Sequence, residues 1–171
     1  MKKTIMMLAL LVIPFAVQAQ KRFHDVEIYD AKGPVSAISF NILFGDKTKF
    51  SKNGKLMDIK NAVYDANGYL QYYEYEKNRM LAKVTNEWKN GKLQKQITEW
   101  WGREGKTVHE TANYFYNKKG EIVKVETSSN GVNATVEYSN YKYDSHGNWV
   151  RRTVSAMNAQ MEQERIIEYY H

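Results

Sequence analysis

The chain has 171 residues, a formal net charge of +6, 13% aromatic residues and no cysteine. Without cysteine there are no disulfides, no thiolate zinc sites and no lipid attachment at an N-terminal cysteine. Basic and acidic residues are interspersed, and no block of five like charges occurs, which argues against a nucleic-acid track.

Lys2 and Lys3, the apolar run 5–15 and the small-residue stretch Val17, Gln18 and Ala19 form the three zones of an export leader, with cleavage expected before Gln20. The apolar run is too short to span a bilayer, so no transmembrane segment is expected. Removing 1–19 leaves 171 − 19 = 152 residues, a single domain over 20–171 by size. That length buries enough surface to need no staple. Export implies the periplasm or the cell exterior.

The mature chain opens with two expected strands, DVEIY (25–29) and VSAISFNILF (35–44), with turns at 31–34 and at Gly45 and Asp46. A regular beat of turns follows. Asn-Gly pairs at 53–54, 67–68, 90–91 and 130–131 are strong hairpin signals, because both residues tolerate the positive φ of a type I′ turn. Further turns are expected at Asn78, 102–105, 119–120, 146–147 and Asn158. Between them lie runs of strand formers, with no proline after Pro34. In 80–88, Met80, Ala82, Val84 and Trp88 share a face; in 132–139, Val132, Ala134, Val136 and Tyr138 do. In 148–156, strict alternation places Val150, Val154 and Ala156 opposite Trp149, Arg151 and Thr153. No 3.6-residue stripe follows the leader, so almost no helix is expected. The fold class is all-β: an antiparallel meander of about 11–12 long strands, too many to stay flat, hence a strongly coiled sheet or a barrel-like closure.

Four turns share one pattern: FSKNGKL (50–56), YDANGYL (64–70), YNKKGEI (116–122) and YDSHGNW (143–149). Each has an aromatic residue, a polar residue, two variable positions, glycine, then a polar and an apolar residue. The pattern resembles the YD repeat of RHS-type proteins, Tyr-Asp-x-x-Gly-Asn, and WKNGKL (88–93) is similar to variants of the MORN repeat. The layout as a whole resembles small exported YD-repeat-like proteins of Gram-negative bacteria. Only Tyr143, Asp144, Gly147 and Asn148 match the motif fully; Asn117 and Ser51 replace the Asp elsewhere. The resemblance implies hairpin joints in a β scaffold and carries over no catalytic residue. The chemistry of the joint implies the same: Asp or Asn accepts bonds from backbone N–H groups just ahead, and glycine supplies the left-handed residue.

The aromatic residues are the strongest functional lead. They gather at Tyr69, Tyr72, Tyr73 and Tyr75, at Trp100 and Trp101, at Tyr114, Phe115 and Tyr116, and at Tyr138, Tyr141 and Tyr143. Strand neighbours point to opposite faces, so one of Tyr72/Tyr73 and one of Trp100/Trp101 is expected outside the core. With Trp149 these residues form the expected ligand platform, since tyrosine and tryptophan on a sheet suit sugar rings or a protein partner. The competing role is that of cross-strand ladders, worth up to about 1 kcal/mol per pair.

Other chemistry is thinner. His24, His109, His146 and His171 fit no metal-ligand spacing, His109 and Glu110 face opposite ways on a strand, and neither metal nor cofactor is expected. No Gly-x-Ser-x-Gly nucleophile motif occurs. Glu162 and Glu164 share a strand face about 7 Å apart, within the span of inverting glycosidases, though MEQERIIEYY also reads as a charged outer face. These residues point to an exported, non-enzymatic binding module that takes a glycan or a cell-envelope protein on an aromatic-rich sheet face. Two alternatives stand beside it: a structural module that pairs with a protein, or with a second copy, through a sheet edge, and a glycan hydrolase.

Overall fold

The computed structural model describes residues 22–41, 47–157 and 159–171. The expected leader, the last residues of the strand expected over 35–44, the turn at Gly45 and Asp46, and Asn158 lie outside the described residues. The strands are β1 (Val35–Phe40), β2 (Thr48–Lys49), β3 (Lys60–Tyr64), β4 (Leu70–Lys77), β5 (Met80–Lys89), β6 (Lys92–Gly102), β7 (Gly105–Tyr116), β8 (Ile122–Ser129), β9 (Val132–Tyr143), β10 (Trp149–Ala156) and β11 (Ala159–Tyr169). They form one antiparallel sheet in the order β2-β1-β11-β10-β9-β8-β7-β6-β5-β4-β3. From β3 to β11 this is the meander that the turn spacing predicts. The N-terminal strand departs from sequence order by pairing with the last one, Ile38 opposite Ile167. The sheet edges are β2 and β3.

Alternate turns lie at alternate ends of the strands, and the two ends are built differently. At one end, the joint end, Asp65 Oδ1 accepts from the N–H groups of Asn67 and Tyr69, Asn117 Oδ1 from Lys119 and Glu121, and Asp144 Oδ1 from His146 and Asn148, all at 2.9–3.1 Å. Ser51 Oγ accepts from Lys55 N–H at 3.1 Å in the fourth copy. The repeated motif is therefore one repeated hydrogen-bonded turn, in which Asp and Asn accept two backbone N–H groups and Ser51 accepts one, its hydroxyl donating to Asn53 Oδ1 instead. At the other end, tight turns with positive φ at Asn78 and Arg79, and at Asn130 and Gly131, close the hairpins.

Each strand leaving the joint end carries a β-bulge at the same place. Tyr64 pairs with Leu70 but Val63 with Tyr72; Trp88 pairs with Leu93 but Glu87 with Lys95; Tyr116 pairs with Ile122 but Phe115 with Lys124; Tyr143 pairs with Trp149 but Lys142 with Arg151. One extra residue is absorbed each time, and the side-chain parity flips across it. Residues three apart then face the same way: Leu70 with Tyr73, Ile122 with Val125, and Trp149 with Arg152, all buried. This corrects the strict alternation expected for 148–156. Val150 is the bulge residue, and Trp149 shares the inner face with Arg152, Val154 and Ala156.

The segment DVEIY (25–29), expected as a strand, is a 3-10 turn, Asp25–Tyr29, stopped by Asp30 at φ 52°. It lies on the inner face at the joint end, away from any ladder, so its polar groups are met by side chains. Asp25 Oδ2 accepts from Leu56 N–H (2.6 Å) and from Tyr64 OH (2.8 Å), and Arg165 donates to the carbonyls of Tyr29 (2.5 Å) and Asp30 (2.9 Å). Three joints hold the flanking chain. Phe23 N–H donates to Asn53 O, His24 N–H to Gly68 O, and Lys32 exchanges two 2.8 Å bonds with the Asn148 amide. Val26 and Ala31 share one apolar cluster with Val35 and Ile38 of β1, Leu70 and Tyr73 of β4, and Val84 of β5. Burying this cluster provides the apolar stabilisation, on the order of 2 kcal/mol per large side chain.

The outer face is polar. Lys60, Glu74, Lys83, Glu99 and His109 lie in one cross-strand row over β3 to β7, alternating in charge potential. Such exposed pairs fix register more than they stabilise.

Candidate aromatic trough

Beyond the 3-10 turn, toward the far end, the inner face opens into a trough of about 890 Å³ whose walls include Tyr29, Phe40, Tyr73, Tyr75, Gln96 and Tyr114. Its rim carries Lys47, Lys49 and Lys77 with Asp58 and Glu76. Tyr73 and Tyr75 come two apart on β4 and stack at 6.1 Å, and Trp100 of β6 meets Tyr75 edge-on at 5.6 Å. Trp100 Nε1 donates to Glu110 on β7 at 3.2 Å. Burial pushes the hydroxyls of Tyr29 and Tyr114 up to about 12 and raises that of Tyr73 well above its usual value. They stay neutral over the physiological range, so each keeps a donor and an acceptor.

Four residues, Ile28, Tyr29, Phe40 and Tyr114, also line a smaller cavity of about 130 Å³ that adds Asp30, Trp149 and Arg152. Here the inner face holds a stack. The Arg152 guanidinium lies 3.7 Å from the Tyr138 ring and 4.0 Å from the Trp149 ring, and Arg165 covers Trp149 from 3.7 Å. Trp149 is 3% exposed, Arg165 3% and Arg152 8%. Arg165 spends its donors on three carbonyls, those of Trp149, Tyr29 and Asp30. Desolvation pulls Arg165 down to about 9, partly offset by the nearby Asp30. The same desolvation raises the Asp30 carboxyl, against the attraction of Arg165 and Arg152.

The five aromatic candidates divide between the faces, as expected of strand neighbours. Tyr73, Trp100 and Trp149 lie on the inner face, with Tyr73 in the trough wall, Trp100 against Tyr75, and Trp149 in the smaller cavity. Tyr73 and Trp149 are buried, so neither offers a ring to solvent on a flat sheet. Tyr72 and Trp101 are on the outer face. Tyr72 OH donates to Glu74 at 2.5 Å, and Lys83 Nζ lies 4.5 Å from the Trp101 ring. Sequence reasoning passed over Arg152, Arg165 and Tyr29. A signal for Arg152 was present. Aligning the joints puts it level with Ile59, Tyr73 and Val125, a position buried in two of the three other copies and partly buried in the third.

The other candidate residues meet neighbours within the sheet and its turns. His146 stacks on Tyr169 at 3.8 Å within its turn. His109 faces Glu99 (3.6 Å) on the outer side, while Glu110 reaches Trp100 on the inner side. Glu162 and Glu164 both pair with Arg151, at 3.6 and 2.5 Å, on the outer face. Among the described residues no cluster of His, Asp and Glu could hold a metal ion, and no helix is long and apolar enough to cross a membrane. No protein-family model matches the chain, and no curated protein sequence matches it.

Proposed function

We propose that this protein is an exported, non-enzymatic module that binds a glycan in the inner aromatic trough. The observation that carries this reading is the wall composition: tyrosine rings with neutral hydroxyls beside the Gln96 amide, next to the Trp100–Tyr75 pair. Rings offer faces for sugar C–H groups, and hydroxyls and amides match sugar hydroxyls. On this account the sheet coils around the 3-10 turn, a reading supported by the core cluster that unites β1, β4 and β5. Kinship with YD-repeat scaffolds is supported by the four turns of one geometry. Strand addition at an edge has less support. Edge β2 has two residues, and β3 carries Lys60 and bends at Asn61, φ 51°, features that blunt an edge.

The test is titration calorimetry against a panel of neutral and acidic oligosaccharides, with Tyr75→Ala, Trp100→Ala and the outer-face control Trp101→Ala. Loss of a contact ring from the trough is expected to weaken binding roughly tenfold, while Trp101→Ala binds as wild type. A protein that binds no member of the panel, or that loses binding only through Trp101→Ala, overturns the reading.

A further inference from the structure

Arg152 is a buried cation with spare capacity. Its Nε donates to Gln163 Oε1 at 2.7 Å and its Nη1 reaches Tyr141 OH at 3.4 Å. Among the described residues no carboxylate pairs with it, and Nη2 has no hydrogen-bond partner. Both ring-facing sides of the guanidinium are occupied, by Tyr138 and Trp149, so only its in-plane edge is open. The Trp149 indole N–H is buried with no hydrogen-bond partner at normal bonding distance, and its nearest acceptor is the Asp30 carboxyl, on which it acts weakly. Both residues line the same small cavity, which shares four residues with the trough. Burying an unpaired charge is costly, and a donor edge fixed between two rings is prearranged for a planar anion. Arg165, behind Trp149, adds positive charge while each of its three nitrogens is engaged by a backbone carbonyl, and among the described residues Asp30 is the one acid lining the cavity. The local balance is positive.

We propose that the trough selects a carboxylate-bearing sugar, with Arg152 as the anchor for the carboxylate and the Trp149 N–H as an additional donor. This rests on the trough reading above and specifies its ligand as an acidic glycan of the uronic type. The sugar body lies against the tyrosine wall, and its carboxylate enters the smaller cavity that shares Ile28, Tyr29, Phe40 and Tyr114 with the trough. No bond is made or broken.

The probe pair is an oligogalacturonate and its fully methyl-esterified form, which differ in charge but not in backbone. Calorimetry on the wild-type protein is expected to show the acid binding roughly 10- to 100-fold more tightly. Added salt is expected to narrow that gap only slightly, since the pair is buried. Arg152→Met is expected to remove the preference for the acid over the ester. Arg152→Lys, which keeps the charge but loses the planar fork, is expected to retain part of it. Equal wild-type affinity for acid and ester refutes the anchor while leaving the trough standing. Failure of both probes and of the whole oligosaccharide panel refutes the trough and the anchor together. The wild-type comparison decides the question even if the Arg152 variants do not fold.

Discussion

The two ends of the sheet are made by the same hairpins and treated oppositely. At the joint end, three turns bond to the N-terminal segment, four bulges turn side chains inward, and Leu70, Leu93, Phe50 and Trp149 are buried. At the far end, tight turns close the strands and none of the described residues covers the inner face: Val132 is 73% exposed and Met161 65%. The difference teaches that the repeated motif is a docking device as well as a turn. Asn148 shows both roles, its backbone N–H closing the turn on Asp144 and its amide clamping Lys32. The trough lies where the covered half gives way to the open half.

Breaking the clamp is expected to have the largest effect. Arg165→Met leaves the carbonyls of Trp149, Tyr29 and Asp30 without their donor. The expected loss is about 3–5 kcal/mol in urea unfolding. A value under about 1 kcal/mol would show that the Arg165 bonds are not what holds the 3-10 turn.

Two glycines sharpen the contrast between the ends. Gly54 and Gly131 have nearly equal backbone angles, φ +87° and +86°. A Cβ at Gly54 would sit 2.5 Å from the backbone oxygen of Phe23, whereas one at Gly131 meets nothing within 4 Å. Gly131→Ala is expected to cost about 1 kcal/mol, the left-handed penalty alone. Gly54→Ala is expected to cost about 3 kcal/mol or more, because the docked segment must move. Equal costs, measured by the same unfolding experiment, would mean that the segment is not held against the joint.

The smallest effect is a pH slope. Desolvation raises the Asp144 carboxyl, but hydrogen bonds from Tyr169, Asn148 and His146 outweigh it and hold the group below its usual value. A depressed carboxylate contributes stability above its unfolded pKa of about 3.9, and loses it as pH falls through the lower folded value. Asp144→Asn keeps the turn acceptor, as Asn117 does in its own joint, and is expected to flatten the acid limb of stability below about pH 4. Asp25 and Asp30, both raised chiefly by burial, slope the other way and remain in the variant. An unchanged acid limb would remove Asp144 from the account.

Turn chemistry was the legible part of the fold. Asn-Gly and the Asp/Asn/Ser-x-x-Gly pattern located the described turns, because positive φ and Asx bonding are local demands. Two things were not local. The segment 25–29 alternates like a strand, yet it becomes a 3-10 turn because it docks inside a sheet whose ladders are complete without it. The parity of 148–156 depends on a bulge that only the partner strand reveals, and that bulge moves Trp149 and Arg152 to the inner face. The aromatic lead pointed to the right residue class. It did not separate Trp100, on the inner face, from Trp101, on the outer one.

The four tryptophans report separately on the regions that matter. Trp88 caps Leu70 O at the joint end (2.9 Å), Trp100 meets Tyr75, Trp101 lies on the outer face under Lys83, and Trp149 sits beside Arg152. The decisive measurement is the set of indole N–H signals in ¹⁵N-labelled protein, assigned by Trp→Phe variants and followed during titration with the acidic oligosaccharide. The account predicts that Trp100 and Trp149 shift while Trp88 and Trp101 stay in place. Movement of Trp101 with Trp100 and Trp149 unmoved would place the ligand on the outer face and contradict it.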